Sequence, residues 1–61
     1  MPIVTVLAIE GRTAEQKRGM VKDITDAVVK NFKAPPERVS VAIREIKKED
    51  FAAGGVLFCD K

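Results

Sequence analysis

Apolar positions fall along the chain in three patterns. Residues 3–9 (IVTVLAI) are nearly all apolar and rich in β-branched side chains. Such a run suits a strand covered on both faces, as in a parallel sheet. Glu10-Gly11-Arg12 breaks the run, and Gly11 supplies the backbone freedom that a sharp strand-to-helix turn needs. Thr13 to Gln16 then reads as a capping box, in which the Thr13 hydroxyl accepts from the Gln16 amide and the Gln16 side chain reaches back to Thr13. From there to about Lys33 the spacing is helical, with Met20, Ile24, Ala27, Val28 and Phe32 forming one apolar stripe. Asp26 and Lys30 stand four apart in the acid-first order that favours pairing. Gly19 is the weak point of this helix, costing up to roughly 1 kcal/mol relative to alanine. Ala34-Pro35-Pro36 stops it, because neither proline has an amide hydrogen to donate.

Val39 to Ile46 alternates as a second strand, with Val39, Val41 and Ile43 on one face and Ser40, Ala42 and Arg44 on the other. Strand, helix, strand is one βαβ unit, so the two strands are expected to be parallel neighbours with a right-handed crossover. Lys47-Lys48-Glu49-Asp50 reads as a solvated turn. The apolar tail from Phe51 to Phe58, bent at Gly54-Gly55, reads as a hairpin-like arm that packs on a neighbouring subunit. The fold class is therefore α/β (α+β): a single βαβ unit with a C-terminal hairpin arm, one domain over residues 1–61.

Size sharpens this picture. A chain of 61 residues buries only about 60% of the surface its unfolded form exposes, so it needs a disulfide, a metal, a partner copy or unusually good packing. Cys59 is the only cysteine and there is no histidine, which excludes an internal disulfide and leaves no His/Cys metal site. Oligomerisation is the remaining expectation. The net charge of +2 comes from interleaved charges and carries no nucleic-acid signal. No apolar run approaches the ~20 residues that cross a membrane, and no signal-peptide pattern is visible. The cytoplasm, where a lone thiol stays reduced, is the expected location.

Few residues can carry chemistry. Cys59 reads as a passive thiol and Gly54-Gly55 as a plain bend. Pro2 and Arg12 remain, bracketing the first strand. Proline is the one residue whose free N-terminus is a secondary amine, and Met1 precedes it in the context where an initiator methionine is removed. Arg12 lies near a helix start, where a positive charge is mildly unfavourable, a hint that it has another use. Along an extended strand the two lie about 30 Å apart. One subunit cannot join them, whereas two packed antiparallel can.

Taken together, Pro2 after Met1, the apolar first strand, Glu10-Gly11-Arg12-Thr13 with Glu15-Gln16-Lys17, the Ala34-Pro35 stop, Ile43-x-Glu45, and Phe51 followed by Gly54-Gly55 resemble the 4-oxalocrotonate tautomerase family. The resemblance runs ungapped from Pro2 to about Gly55. It implies a tautomerase-superfamily protomer assembled as a homohexamer, a trimer of dimers, acting without a cofactor in aromatic-compound degradation. It implies that Pro2, as the N-terminus, is the general base that moves a proton in a 2-hydroxydienoate or related enol/keto acid. It assigns substrate binding to Arg12, which takes a carboxylate, to Phe51, part of an apolar wall, and to Ser40. At Ser40 the chain departs from the type enzymes, which carry a second arginine there. Slow turnover of 2-hydroxymuconate and a smaller or less charged true substrate are expected. The reading from a different class is a non-catalytic oligomeric binding protein on the same fold.

Overall fold

A computed structural model describes all residues from Met1 to Lys61. Strand β1 (Ile3–Ile9) leads through a tight loop into helix α1 (Ala14–Phe32), and strand β2 (Ser40–Ile46) follows. The two strands pair in parallel, with Ile3 opposite Ser40 and Ile9 opposite Ile46. Beyond them, β3 (Ala52–Ala53) and β4 (Val56–Leu57) form a short antiparallel hairpin. The βαβ unit and the hairpin expected from the pattern are both present.

Local chemistry accounts for the boundaries. Gly11 takes a φ of 126°, which a side chain would resist, and this turns the chain from β1 into α1. The capping box is complete: Gln16 N–H donates to the Thr13 hydroxyl at 3.1 Å, and Thr13 N–H donates to Gln16 Oε1 at 3.0 Å. At the far end Lys33 turns left-handed, with φ 59°, and donates its amide to Val29 O before the prolines. Strand β2 begins at Ser40 rather than Val39, because the Val39 amide closes a 3₁₀ turn onto Pro36 O at 3.1 Å. Residues 48–50, part of the stretch read as a solvated turn, form another 3₁₀ turn. Its first amide, from Lys48, is held by Glu10 Oε2 at 3.3 Å. Gly54 and Gly55 both have positive φ, as the central pair of a type I′ hairpin turn requires.

Two details of the helix differ from the pattern. The side that faces the sheet carries Lys17, Met20, Val21, Ile24, Thr25, Val28 and Val29, all half-buried, while Ala27 is exposed and Phe32 is 71% exposed. Asp26 pairs with Lys22 behind it, at 2.8 Å, and not with Lys30 ahead. The hydrogen bond and charge of Asp26 raise the Lys22 amine above its ordinary 10.5.

Packing is one-sided. Val4, Val6 and Ala8 of β1 and Val41 and Ile43 of β2 turn toward α1 and are half-buried. The opposite face is bare, with Ile3 68% and Leu7 67% exposed. The first strand was expected to be covered on both faces; within one chain α1 covers only one. No residue of the chain is buried. Its accessible surface is 4866 Å², against about 3,900 Å² for a compact monomer of this mass. The radius of gyration is 14.8 Å, against about 10.5 Å for a globular chain of this length.

Candidate active site

Strand β1 separates the residues singled out by the sequence into two groups. At its start, Pro2 is half-buried behind an exposed Met1. The Pro2 carbonyl accepts the Ser40 amide at 3.0 Å, so the parallel ladder itself seats Ser40 beside Pro2. The Ser40 side chain is exposed, and its strand position puts it on the bare face with Ala42 and Arg44.

Past the end of β1, Arg12 stands at the mouth of a cleft of about 270 Å³ between α1 and the sheet. Val6, Ala8, Ile9, Met20 and Ile43 make its apolar lining. Its polar rim is Arg12, Gln16, Lys17 and Glu45. Lys17 Nζ lies 2.6 Å from Glu45 Oε1, tying the first turn of α1 to the end of β2. Arg12, by contrast, has no carboxylate within ion-pair distance.

Arg12 also borders a second, open hollow with Ile9, Glu10, Lys48 and Phe58. The Phe58 amide donates to Phe51 O at 2.7 Å, continuing the hairpin ladder. The Phe51 ring meets Phe58 edge-on at 6.1 Å. Phe51 thus belongs with Arg12, at the opposite end of the sheet from Pro2 and Ser40. Neither cavity is lined by Pro2 or Ser40.

Sequence reasoning missed Lys17 and Glu45 as site-lining groups. They stand 28 residues apart, so no local spacing joins them, and only the packing of α1 against the sheet brings them face to face. Phe58 was read only as part of the apolar tail. Its pairing with Phe51 depends on the hairpin register set by the two glycines.

The whole chain after Met1, residues 2–61, matches the family model for tautomerase enzymes. The chain belongs to the tautomerase family. A probable tautomerase of Listeria monocytogenes is 48% identical over 56 residues, covering 92% of each chain. The 2-hydroxymuconate tautomerase of Bacillus subtilis is 43% identical over 60 residues, covering 98% of this chain and 97% of its own. The crystal structure of a 4-oxalocrotonate tautomerase homologue superposes with a TM-score of 0.95 at 39% identity, covering 100% of this chain and 97% of that one. The resemblance to 4-oxalocrotonate tautomerases, the fold and the isomerase class follow from these matches. No helix of this tautomerase is long and apolar enough to cross a membrane.

Proposed function

We propose that this tautomerase, once Met1 is removed, uses the ring nitrogen of Pro2 as general base on a 2-hydroxydienoate or related enol/keto acid. Pro2 takes the proton of the enol hydroxyl. The negative charge spreads along the conjugated chain, and the protonated Pro2 returns the proton to carbon, leaving an α,β-unsaturated ketone. Arg12 holds the substrate carboxylate, Phe51 supplies apolar wall, and the Ser40 hydroxyl donates to a substrate oxygen.

The observation that carries this reading is the separation of Pro2 and Arg12 to opposite ends of β1, with an unpaired guanidinium over an apolar cleft. A second protomer laid antiparallel along the free edge of β1 returns its own Pro2 to the Arg12 end. The site is then shared between chains. Burial in an apolar site and a nearby arginine both disfavour a protonated amine, which moves the Pro2 nitrogen toward the range where a base works best. The bare Ile3–Leu7 face and the excess accessible surface support further association, and we assign the assembly as a homohexamer, a trimer of dimers. A lone free thiol, Cys59, suits the cytoplasm.

Ketonisation of 2-hydroxymuconate and of a monocarboxylic 2-hydroxydienoate tests the reading, using protein whose intact mass confirms loss of Met1, with Pro2→Ala alongside. Pro2-dependent turnover is expected, faster with the monocarboxylate. Equal activity of the Pro2→Ala variant on both acids overturns the assignment of Pro2 as the base.

A further inference from the structure

Arg38 ends the 3₁₀ turn, residues 36–38, that feeds β2. Three successive backbone bonds fix this approach. The Arg38 amide donates to Pro35 O at 3.0 Å, the Val39 amide to Pro36 O at 3.1 Å, and the Ser40 amide to Pro2 O at 3.0 Å. Ile3 pairs with Ser40, so Val39 comes level with Pro2 and Arg38 lies on the Met1 side of it. Met1 is 79% exposed, and its removal opens the Pro2 nitrogen on that same side. Arg38 is itself exposed, and neither of the chain's two ion pairs involves it. Glu37, its neighbour in the turn, makes no ion pair with it. Other cations are tied or placed elsewhere. Lys17 and Lys22 are held by Glu45 and Asp26. Lys30 and Lys33 belong to the end of α1, before the prolines. Arg44 shares the bare face with Ser40 but stands opposite Leu7, roughly 13 Å further along β2. Arg38 is the one free cationic side chain within two residues of the Pro2–Ser40 pairing.

We propose that Arg38 receives the second carboxylate of a dicarboxylate enol at the Pro2 end of the site, so that the diacid turnover of this tautomerase passes through Arg38. The inference rests on the functional reading above and adds a residue to it. In that reading the partner's Arg12 answers one carboxylate, which is all that a monoacid carries. A diacid brings another, and at the Pro2–Ser40 end the strand itself offers a hydroxyl but no charge. The planar guanidinium fork of Arg38 matches a carboxylate. Strand alternation does not decide where this side chain goes, because residue 38 belongs to the turn and not to β2. A long side chain reaching in from a turn loses rotamer freedom when it binds, so the diacid stays the slower substrate.

The test compares kcat/KM for 2-hydroxymuconate and for a monocarboxylic 2-hydroxydienoate, on protein whose intact mass confirms loss of Met1. Four proteins are needed: the unmodified enzyme, Arg38→Gln, Arg38→Lys, and Arg44→Gln as a cation removed elsewhere on the same sheet. In Arg38→Gln the diacid value is expected to fall about tenfold, the scale of one charged hydrogen bond, mostly through KM, while the monoacid value holds within about twofold. Arg38→Lys keeps the charge and recovers part of the diacid value, and it decides the matter alone where Arg38→Gln does not fold. Arg44→Gln leaves the ratio of the two acids unchanged. A ratio unmoved in Arg38→Gln overturns the assignment, as does an equal fall on both acids, which is what a turn of purely structural importance gives. A ratio that falls as far in Arg44→Gln, or no recovery in Arg38→Lys, overturns it as well. Pro2→Ala beside the unmodified enzyme separates the two levels. Turnover that depends on Pro2 with a ratio indifferent to Arg38 removes Arg38 alone, as does Pro2-dependent turnover of the monoacid with none of the diacid. Turnover independent of Pro2 removes the reading beneath it.

Discussion

The amide of Ser40 donates to the carbonyl of Pro2 at 3.0 Å, which makes Ser40 the residue that β2 delivers beside the start of β1. The side chain at position 40 is therefore fixed next to the proposed base by backbone pairing, whatever residue stands there. Replacing Ser40 by arginine places a cation at that position without disturbing the ladder. A rise of about tenfold in kcat/KM for 2-hydroxymuconate is expected, on the scale of one charge-assisted hydrogen bond. Steady-state kinetics of Ser40→Arg on the diacid check it, and an unchanged value counts against a substrate-binding place for position 40.

Arg12 is exposed and carries no carboxylate partner in its own chain. Its removal therefore breaks no internal ion pair. Arg12→Gln is expected to lower kcat/KM by roughly a hundredfold, the scale of a lost charged hydrogen bond in a site, with the thermal midpoint nearly unchanged. Kinetics and a melting curve on the same preparation separate the two. A large fall in the midpoint would make the arginine structural.

The capping box at Thr13 begins the helix directly after Arg12. Thr13→Ala removes the acceptor for the Gln16 amide, and about 1 kcal/mol of stability should go with it. Denaturant titration at fixed protein concentration measures the loss. Thr13→Ser, which keeps the hydroxyl, is expected to restore most of it.

Leu7 presents its side chain to water from the centre of β1. A charge there leaves the α1-facing side untouched and burdens any partner that covers the bare face. Leu7→Asp is expected to shift the sedimentation profile to smaller species and to remove activity with them. An unshifted profile would leave that face outside the assembly.

Much of this architecture is legible in local pattern, and its failures have a common cause. Thr13 with Gln16, Gly11, and Gly54-Gly55 each act within a few residues, so their geometry follows from composition and spacing. The helix stripe was harder. Val21 and Val29 are as apolar as Ala27 and Phe32, and two stripes one residue apart on a helix are separated only by what they pack against. The sheet chose the valines. The Lys22–Asp26 contact was missed because Asp26 has a lysine four residues away on either side, and the order that favours pairing in isolated helices did not decide here. Contacts made at long range were invisible: Glu10 with Lys48, 38 residues on, and Lys17 with Glu45, 28 residues on. The separation of Pro2 and Arg12 to the two ends of β1 followed from strand length alone.

Under the proposed assembly, the absence of any buried residue in the single chain changes what stability means for this protein. A fold whose interior is completed by other copies has no free energy of its own to quote, because its unfolding equilibrium carries protomer concentration as a variable. Its melting temperature is then a point on a dilution curve. The number of copies a cell keeps becomes part of the folding problem, since too dilute a pool loses its native structure without any change in sequence, temperature or solvent.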